Sequence, residues 1–272
     1  MSGTAIFIIA ILLIAGFYLA ICLYLLFNQQ NMIYEPEHHI AATPDERGFE
    51  YESVTLTTDD NIKLDAWYIP SAQNAGEILF FHGNTGNISH RFETIEMLHL
   101  MGYNVLIIDY RGYGLSEGKP SEQGTFLDAK AALRYLVEER GIAEENVIVF
   151  GRSLGGAVAT WLASQTRPKA LVVESSFSSI PDLGSQQYPL LPINLLSKYQ
   201  YDSKTHIQKV QAPVLIIHSP SDEVIPFNHG QLLYDNALSP KELLKIRGRH
   251  NDGFIYSGKV YLEGIKTFLS NV

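Results

Sequence analysis

The stretch VIVFGRSLGGAVATWLAS, residues 147–164, decides the fold of this chain. It opens with a continuous, β-branched-rich apolar run, which predicts a strand covered on both faces. From Leu154 onward the pattern favours a helix, so Ser153 stands at a strand-to-helix turn within a Gly-x-Ser-x-Gly pattern. Flanking glycines let such a strained turn form without clashes. The alternative is an ordinary turn, but the context predicts that Ser153 is a nucleophile.

Apolar runs of the same kind recur along the chain and alternate with segments of helical periodicity. Residues 91–101, 125–139 and 154–166 carry apolar residues at helical spacing. This alternation predicts an α/β fold, with a mostly parallel sheet and helices on both faces. The strands predicted from these runs are residues 78–81, 105–108, 147–150, 171–173, 214–217 and 243–246. Before them, residues 54–58 and 62–69 alternate apolar and polar side chains, which predicts a hairpin of edge strands.

The N-terminal part predicts a membrane anchor. Residues 5–27 hold no charged side chain and follow a short tail of residues 1–4. At about 1.5 Å per residue, this segment is long enough to cross roughly 30 Å of hydrocarbon. A cleaved signal peptide or a buried core helix is the alternative, but the basic n-region and a clear cleavage site are missing. Residues 28–50 are polar and contain two prolines, so they predict a connector to a catalytic domain at 51–272.

Charge near the anchor indicates its orientation. The first Lys or Arg in the chain is Arg47, whereas Glu35 and Glu37 follow the anchor closely. Because no basic residue holds this side in the cytoplasm, a single-pass membrane protein with its catalytic domain on the non-cytoplasmic side is expected.

Overall composition excludes some classes of partner and site. The formal net charge of -9 leaves no concentrated positive field, so nucleic acid is not an expected partner. Cys22 is the sole cysteine, which rules out an intrachain disulfide and a cysteine-based zinc site.

A serine hydroxyl needs a base before it can attack. His250 lies in GRHND (248–252), directly after the predicted strand 243–246 and before a helical segment, so it is the predicted base. Other histidines compete for this role, but His218, which ends a strand, lies too near the candidate acid along the chain. The other two competitors are His206 and His229.

The base in turn needs a carboxylate that fixes its tautomer and stabilises its charged form. Asp222 in HSPSDEVIP (218–226) follows the predicted strand 214–217 and gives the chain order serine, acid, histidine. Glu174, at the end of the preceding strand, remains the rival acid. Glu223 and Asp252 are interpreted as solvated loop charges.

Acyl transfer also requires N–H donors for the developing oxyanion. The backbone N–H of Leu154, directly after the candidate nucleophile, is one predicted donor. The loop HGNTGN (82–87) follows a predicted strand, and the N–H of Asn84 is the other predicted donor. His82 is expected to support this loop rather than to catalyse. A phosphate cradle is the alternative for the glycine-rich loop, but the Gly-Lys-Ser/Thr sequence is missing.

Residues 178–209 break the alternation of strands and helices. This segment holds three prolines and clusters of Leu and Tyr with little periodicity. Ligands bind at the carboxyl ends of strands in open α/β sheets, so an insertion here is predicted to be a lid. A plain surface loop is the alternative.

Several motifs in one order resemble a known family. They are FFHGNTGNISHR (80–91), DYRGYGLSEGKPSEQG (109–124), GRSLGG (151–156), SDEVIP (221–226) and GRHND (248–252). Together they resemble the bud-emergence-related (Bem-type), membrane-anchored group of α/β-hydrolase-domain proteins, over nearly all of the soluble part. The resemblance implies the α/β-hydrolase fold, a triad of Ser153, Asp222 and His250, and esterase-like, thioesterase-like or peptidase-like chemistry.

The expected activity is hydrolysis of a carboxylic ester or thioester at a membrane, through an acyl-enzyme and without a metal or organic cofactor. The expected substrate is a small-molecule or lipid-like acyl compound, or an acylated protein. One alternative is an aminopeptidase-like activity, for which Asp182, Glu174 or Glu117 would supply an acidic counter-charge. Another is a non-catalytic, membrane-tethered binding module.

Overall fold

The computed structural model describes residues 2–272. Within these residues the strands, in chain order, are β1 (Glu35–Pro36), β2 (Glu52–Thr57), β3 (Lys63–Ile69), β4 (Glu77–Phe81), β5 (Thr85–Gly86), β6 (Asn104–Ile108), β7 (Val147–Arg152), β8 (Ala170–Glu174), β9 (Val214–His218) and β10 (Lys241–Lys245). The helices are α1 (Gly3–Ile33), α2 (Phe92–Leu100), α3 (Glu122–Arg134), α4 (Leu154–Gln165), α5 (Ile180–Gln187), α6 (Ile193–Leu196), α7 (Ser203–His206), α8 (Phe227–Asn236) and α9 (Gly253–Ser270).

Eight strands form one sheet in the order β10-β9-β8-β7-β4-β6-β3-β2. The strands from β10 to β6 in this order run parallel, and β3 and β2 continue the sheet antiparallel. The predicted mostly parallel sheet is therefore confirmed. The prediction that both hairpin strands lie at the edge is wrong for β3, which pairs with β2 on one side and β6 on the other.

Burial explains why the central strands are apolar except at their ends, where Glu77, Asn104 and His218 stand. Every residue of β4, β6 and β9 is buried, because helices cover both faces of the sheet. Side chains of α3, α4 and α8 pack in the core on one face, and those of α2 and α9 pack on the other. Since parallel strands end at the same edge, the loops after β4, β7, β9 and β10 meet there.

Helix α1 is 31 residues long and is apolar enough to cross a membrane. Its side chains are mostly exposed, and Cys22 and Leu25 are its buried residues. The helix continues to Ile33, beyond the predicted end of the anchor at residue 27. Tyr34 is buried, and β1 pairs with β5, so the segment predicted to be a connector is docked against the loop after β4.

The segment of residues 178–209, called the lid segment below, is folded rather than a plain loop. It contains the short helices α5, α6 and α7. Ser179 caps α5 by accepting a hydrogen bond from the N–H of Asp182, and Pro181 lies in the first turn. The lid segment lies against α1 through Gln29, whose side-chain amide donates to the carbonyl of Leu196.

Candidate active site

Ser153 stands at the turn between β7 and α4 in a strained conformation. Its φ of 55° and ψ of -120° lie in a region that L-residues rarely adopt. The turn is held because Ser153 N–H donates to the carbonyl of Glu174 at 2.9 Å. A Cβ on Gly155 would overlap the carbonyl of Phe81, and a Cβ on Gly151 would overlap the carbonyl of Gly155. Glycine is therefore required by close packing on both sides of the serine.

The structure brings Ser153, His250 and Asp222 together in one chain of hydrogen bonds. His250 Nε2 lies 3.1 Å from Ser153 Oγ, and His250 Nδ1 lies 2.8 Å from Asp222 Oδ2. Because an ionised carboxylate can only accept, Nδ1 carries the proton and Nε2 is free to accept one from the serine. All three side chains are largely shielded from water. The arrangement suits proton transfer from the serine hydroxyl to the imidazole.

Asp222 is fixed by its own loop. Its Oδ1 accepts hydrogen bonds from the N–H groups of Val224 and Ile225, at 3.0 and 2.8 Å. Burial alone would raise the pKa of Asp222, but the hydrogen bond and charge of His250 outweigh it and hold that pKa below its ordinary value. The carboxylate is therefore ionised and oriented toward His250 at neutral pH.

The rival acid, Glu174, is engaged elsewhere. Its Oε2 pairs with Arg152 Nη2 at 3.0 Å and accepts a hydrogen bond from Tyr261 OH at 2.6 Å. This buried network was not anticipated from the sequence, because Tyr261 comes from α9, far along the chain. Glu174 consequently links β7 to α9 through Arg152 and Tyr261 and does not contact the imidazole of His250.

The competing histidines have other partners. His218 Nε2 lies 2.8 Å from the carbonyl of Ile225 and 3.5 Å from Asp222 Oδ2, so it borders the acid without reaching the serine. His229 contacts Ser178 in the lid segment. Among residues 2–272, His250 is the histidine that is hydrogen-bonded to Ser153.

The two predicted oxyanion donors, Asn84 and Leu154, line one cavity together with Ser153. Across residues 2–272, neither of their backbone N–H groups donates to another group of the chain. The Asn84 loop is fixed on both sides, because its side-chain amide donates to the carbonyl of Ile33 at 3.0 Å and its carbonyl accepts from Tyr113 OH at 2.7 Å. Two oriented N–H groups beside the serine match an oxyanion hole.

His82 lies beneath this loop as a buried, neutral group. Its Nδ1 donates to the carbonyl of Gly83 at 2.6 Å, which leaves Nε2 as an acceptor facing Asp109 Oδ1 at 3.3 Å. Burial lowers the pKa of His82 to about 3 and raises the pKa of Asp109 to about 8. Both groups are thus mainly uncharged at neutral pH, and His82 holds the loop of residues 82–87 through its hydrogen bond to Gly83.

Two clefts reach Ser153 from different directions. The apolar one has a volume of about 260 Å³ and lies between α1 and the lid segment. The polar one has a volume of about 540 Å³ and is lined by His250, Arg91 and Arg152 among others. The carboxylates proposed from the sequence as peptidase counter-charges, Asp182, Glu174 and Glu117, line neither cleft.

Sequence reasoning missed the contribution of α1 to the apolar cleft. Leu25 and Gln29 line it, although both were assigned to the anchor or the connector. The signal that could have found them is the run of three amides, Asn28, Gln29 and Gln30, directly after an uninterrupted apolar span. Amide side chains at this position form hydrogen bonds with the protein when the end of the helix packs against the domain.

Comparisons with known proteins agree with the fold and the motifs. Residues 72–199 match a family of hydrolases described as serine aminopeptidase, S33. Protein bem46 of Schizosaccharomyces pombe is 34% identical over 240 residues, which cover 84% of this chain and 79% of that protein. The membrane protein YNL320W of Saccharomyces cerevisiae is 34% identical over 258 residues, 90% of each chain. The latter name and the length of α1 together support membrane anchoring.

A solved structure extends the likeness to three dimensions. The Pyrococcus furiosus esterase Pf2001 aligns with a TM-score of 0.73 and 25% identity, over 87% of this chain and 98% of that one. These matches support hydrolase activity on an α/β-hydrolase fold. The chain belongs to the Bem46-like group of α/β-hydrolase-domain proteins.

Proposed function

We propose that this protein is a membrane-anchored serine hydrolase that cleaves a carboxylic ester or thioester by transferring the acyl group to water. The observation that carries the proposal is the continuous hydrogen-bond chain from Ser153 Oγ through His250 to Asp222. In this assignment Ser153 is the nucleophile, His250 the general base and Asp222 the acid that orients the base.

The reaction proceeds in two balanced halves. Ser153 Oγ forms a bond to the acyl carbon while its proton passes to His250 Nε2, and the carbonyl oxygen becomes an oxyanion held by the N–H groups of Asn84 and Leu154. Collapse of this intermediate breaks the bond to the leaving oxygen or sulfur, which takes the proton from His250. Water then attacks the acyl-enzyme, His250 accepts the water proton, and the free acid leaves as Ser153 is protonated again.

Fluorophosphonate labelling of the full chain in detergent tests the nucleophile. The wild type should become labelled, and Ser153→Ala should lose both labelling and turnover, the latter by several orders of magnitude. Ser176→Ala is a matched control, since Ser176 lies close to the elbow and donates to the carbonyl of Ser153 without contacting His250. Equal labelling of wild type and Ser153→Ala would refute the assignment.

An aminopeptidase-like activity is the second candidate, because the matching family is described as serine aminopeptidase. Turnover of p-nitrophenyl acyl esters and of aminoacyl p-nitroanilides by the same preparation separates the two. Faster relative turnover of the anilides, abolished in Ser153→Ala, would favour the peptidase.

We also propose that the domain faces away from the cytoplasm, because Arg47 is the first basic residue after the anchor. Protease treatment of sealed membrane vesicles of known orientation tests this. Digestion of the domain from the cytoplasmic face would show the opposite orientation.

A further inference from the structure

The apolar cleft is built by two parts of the chain that meet beside a membrane. From α1 come Leu25, Gln29, Met32 and Ile33, and the lid segment provides the facing wall. The lid-segment side chains on this wall include Ile180, Leu183, Gln187, Tyr188, Ile193 and Leu196. Ser153 and Leu154 also line this cleft. An apolar cleft that contains a nucleophile in its wall fits the chain of an acyl group.

Hydrogen bonds fix the lid segment to α1. Tyr18 OH donates to the carbonyl of Leu190 at 3.0 Å. Gln29 uses both ends of its amide, donating to the carbonyl of Leu196 at 2.7 Å and accepting from the N–H of Lys198 at 2.8 Å. Backbone groups that leave water need such partners, because an unpaired carbonyl in hydrocarbon costs several kcal/mol. The carbonyl of Leu190 is therefore satisfied at the level of the anchor.

If residues 5–27 cross the bilayer, these contacts place the part of the lid segment around Leu190 within the depth of the hydrocarbon. Tyr18 lies inside the apolar span of residues 5–27, about 13 Å from its end at roughly 1.5 Å per residue. Leu190 and Leu195 project from the lid segment with 86% and 87% of their surfaces exposed. Large apolar side chains this exposed beside a transmembrane helix are favourable in lipid and unfavourable in water.

We propose, resting on the proposed hydrolase function, that α1 is one wall of the acyl site and that the substrate is a long-chain acyl lipid that enters from the bilayer between α1 and the lid segment. The chain of the lipid lies along Leu25 and Leu183, and its carbonyl reaches Ser153. The helix therefore selects the substrate in addition to holding the enzyme at the membrane.

Full-length protein in lipid nanodiscs, assayed with p-nitrophenyl butanoate and hexadecanoate, tests the wall. Leu25→Trp should lower the ratio of hexadecanoate to butanoate kcat/KM at least tenfold, because the indole fills the cleft. Phe17→Trp is the control, since Phe17 is on α1 but is 70% exposed. Fluorophosphonate labelling shows whether each variant is folded with a reactive serine. An unlabelled wild type would refute the hydrolase proposal, whereas labelled variants with unchanged ratios would refute the wall alone.

The route from the bilayer has its own test. The double variant Leu190→Gln and Leu195→Gln should hydrolyse 1-hexadecanoylglycerol held in vesicles at least fivefold more slowly than the wild type. The difference should shrink when the same lipid is given in detergent micelles. Equal rates in vesicles would overturn the bilayer route.

A different observation concerns the polar cleft. Arg91 lines it together with Ser153 and His250, and its guanidinium donates to the carbonyl of Thr85. Its Nε is buried without a hydrogen-bond partner, and within residues 2–272 no carboxylate forms an ion pair with Arg91. Burial and the nearby charge of Arg152 lower the pKa of Arg91 to about 10, so it stays charged at neutral pH.

Nearby carboxyl groups compensate this charge incompletely. Asp109 is close, but burial raises its pKa to about 8, so it is mostly neutral at pH 7. Glu35 and Glu93 also line the cleft; Glu35 accepts a hydrogen bond from Thr85 Oγ1 at 2.8 Å, and neither contacts Arg91 as an ion pair. A partly buried cation without a paired anion is stabilised when a ligand supplies a negative charge.

We infer that Arg91 binds a phosphate group on the leaving part of the substrate, opposite the acyl chain across Ser153. This assignment also rests on the hydrolase function. Arginine suits this role because its planar fork matches phosphate oxygens. Phosphate in this position could belong to an acyl glycerophosphate or to an acyl thioester of a phosphorylated carrier.

Three substrates with one acyl chain separate these sources: 1-hexadecanoylglycerol, its 3-phosphate and hexadecanoyl coenzyme A. Arg91→Gln should lower the kcat/KM of a phosphate-bearing substrate relative to the neutral one at least tenfold, and the substrate that shows the loss identifies the source. Arg47→Gln is the control, because Arg47 stacks on Phe92 outside the cleft. Unchanged ratios for both phosphate-bearing substrates in a labelled Arg91→Gln variant would overturn the inference.

Discussion

His250 Nδ1 lies 2.8 Å from Asp222 Oδ2. This contact distinguishes Asp222, in the loop after β9, from Glu174, which ends the neighbouring strand β8. Replacement of Asp222 by Asn should lower kcat by about 10³- to 10⁴-fold, because the amide favours the wrong tautomer of the imidazole. Steady-state hydrolysis of a p-nitrophenyl ester measures this. A loss below about tenfold would show that another group orients His250.

Glu174→Gln should lower the stability of the fold and leave the reactivity of Ser153 unchanged. The substitution removes the charge that compensates buried Arg152, which pairs with Glu174 at 3.0 Å. Breaking a buried ion pair from one side costs about 3–5 kcal/mol of unfolding free energy. Thermal unfolding of the detergent-solubilised variant should show a lower midpoint while fluorophosphonate labelling of the folded fraction persists. A variant that melts like the wild type but fails to label would make Glu174 the functional acid.

Local sequence patterns predict those strands and helices in which every residue has the same kind of surroundings, such as strands buried on both faces. The central strands are covered on both faces, so their inner positions are apolar, and the predicted strand 78–81 differs from β4 (Glu77–Phe81) by the buried polar residue Glu77 at its start. The position of β3 was not predictable, because its second partner, β6, is distant in sequence.

The position of the three candidate site residues was also predictable from local patterns. Ser153, Asp222 and His250 each follow a predicted strand, so the shared edge of the sheet brings them together. The role of Leu25 in the apolar cleft depends instead on which side of α1 meets the lid segment. A span that is apolar all round carries no periodic signal for such a face.

The pair of His82 and Asp109 should make stability depend on pH. Burial raises the pKa of Asp109 to about 8 in the folded chain, against an unfolded value near 3.9. At Asp109 the folded state therefore binds more protons between these values, so the contribution of Asp109 to stability falls as pH rises from about 4 to 8, by up to about 1.4 kcal/mol per pH unit. His82 acts in the opposite sense, because its lowered pKa of about 3 makes its contribution to stability rise with pH up to about 6.5. Asp109→Asn removes the titration of Asp109. The melting temperature of the wild type relative to Asp109→Asn should decrease from pH 5 to pH 8, and a constant difference would contradict the assignment.

Three hydroxyl groups connect Tyr34, which follows α1, with Tyr201 of the lid segment and Thr125 of α3. Tyr201 OH lies 2.7 Å from Tyr34 OH and 2.8 Å from Thr125 Oγ1. Tyr34→Phe leaves Tyr201 bonded to Thr125, whereas Tyr201→Phe leaves the buried hydroxyl of Tyr34 without a partner. We expect a loss of about 0.5–1.5 kcal/mol of unfolding free energy for Tyr34→Phe and about 1–3 kcal/mol for Tyr201→Phe. Chemical denaturation of both variants measures the order, and the reverse order would show that the network is not built around Tyr201.

The elbow glycine provides the sharpest test of the packing around Ser153. A Cβ at Gly155 would overlap the carbonyl of Phe81 at the end of β4, and this backbone cannot move aside without displacing the following loop, which holds Asn84. Gly155→Ala should therefore cost about 3 kcal/mol or more of unfolding free energy and slow fluorophosphonate labelling. Gly156→Ala should cost less, because the Cβ there meets side-chain atoms of Ser176 and Val173 and overlaps them less than a Cβ at Gly155 overlaps the Phe81 carbonyl. Gly16→Ala, with nothing within 4 Å of the added carbon, is the control. If Gly155→Ala melted within about 2 °C of the control, close packing would not be the reason that a glycine stands at this position beside Ser153.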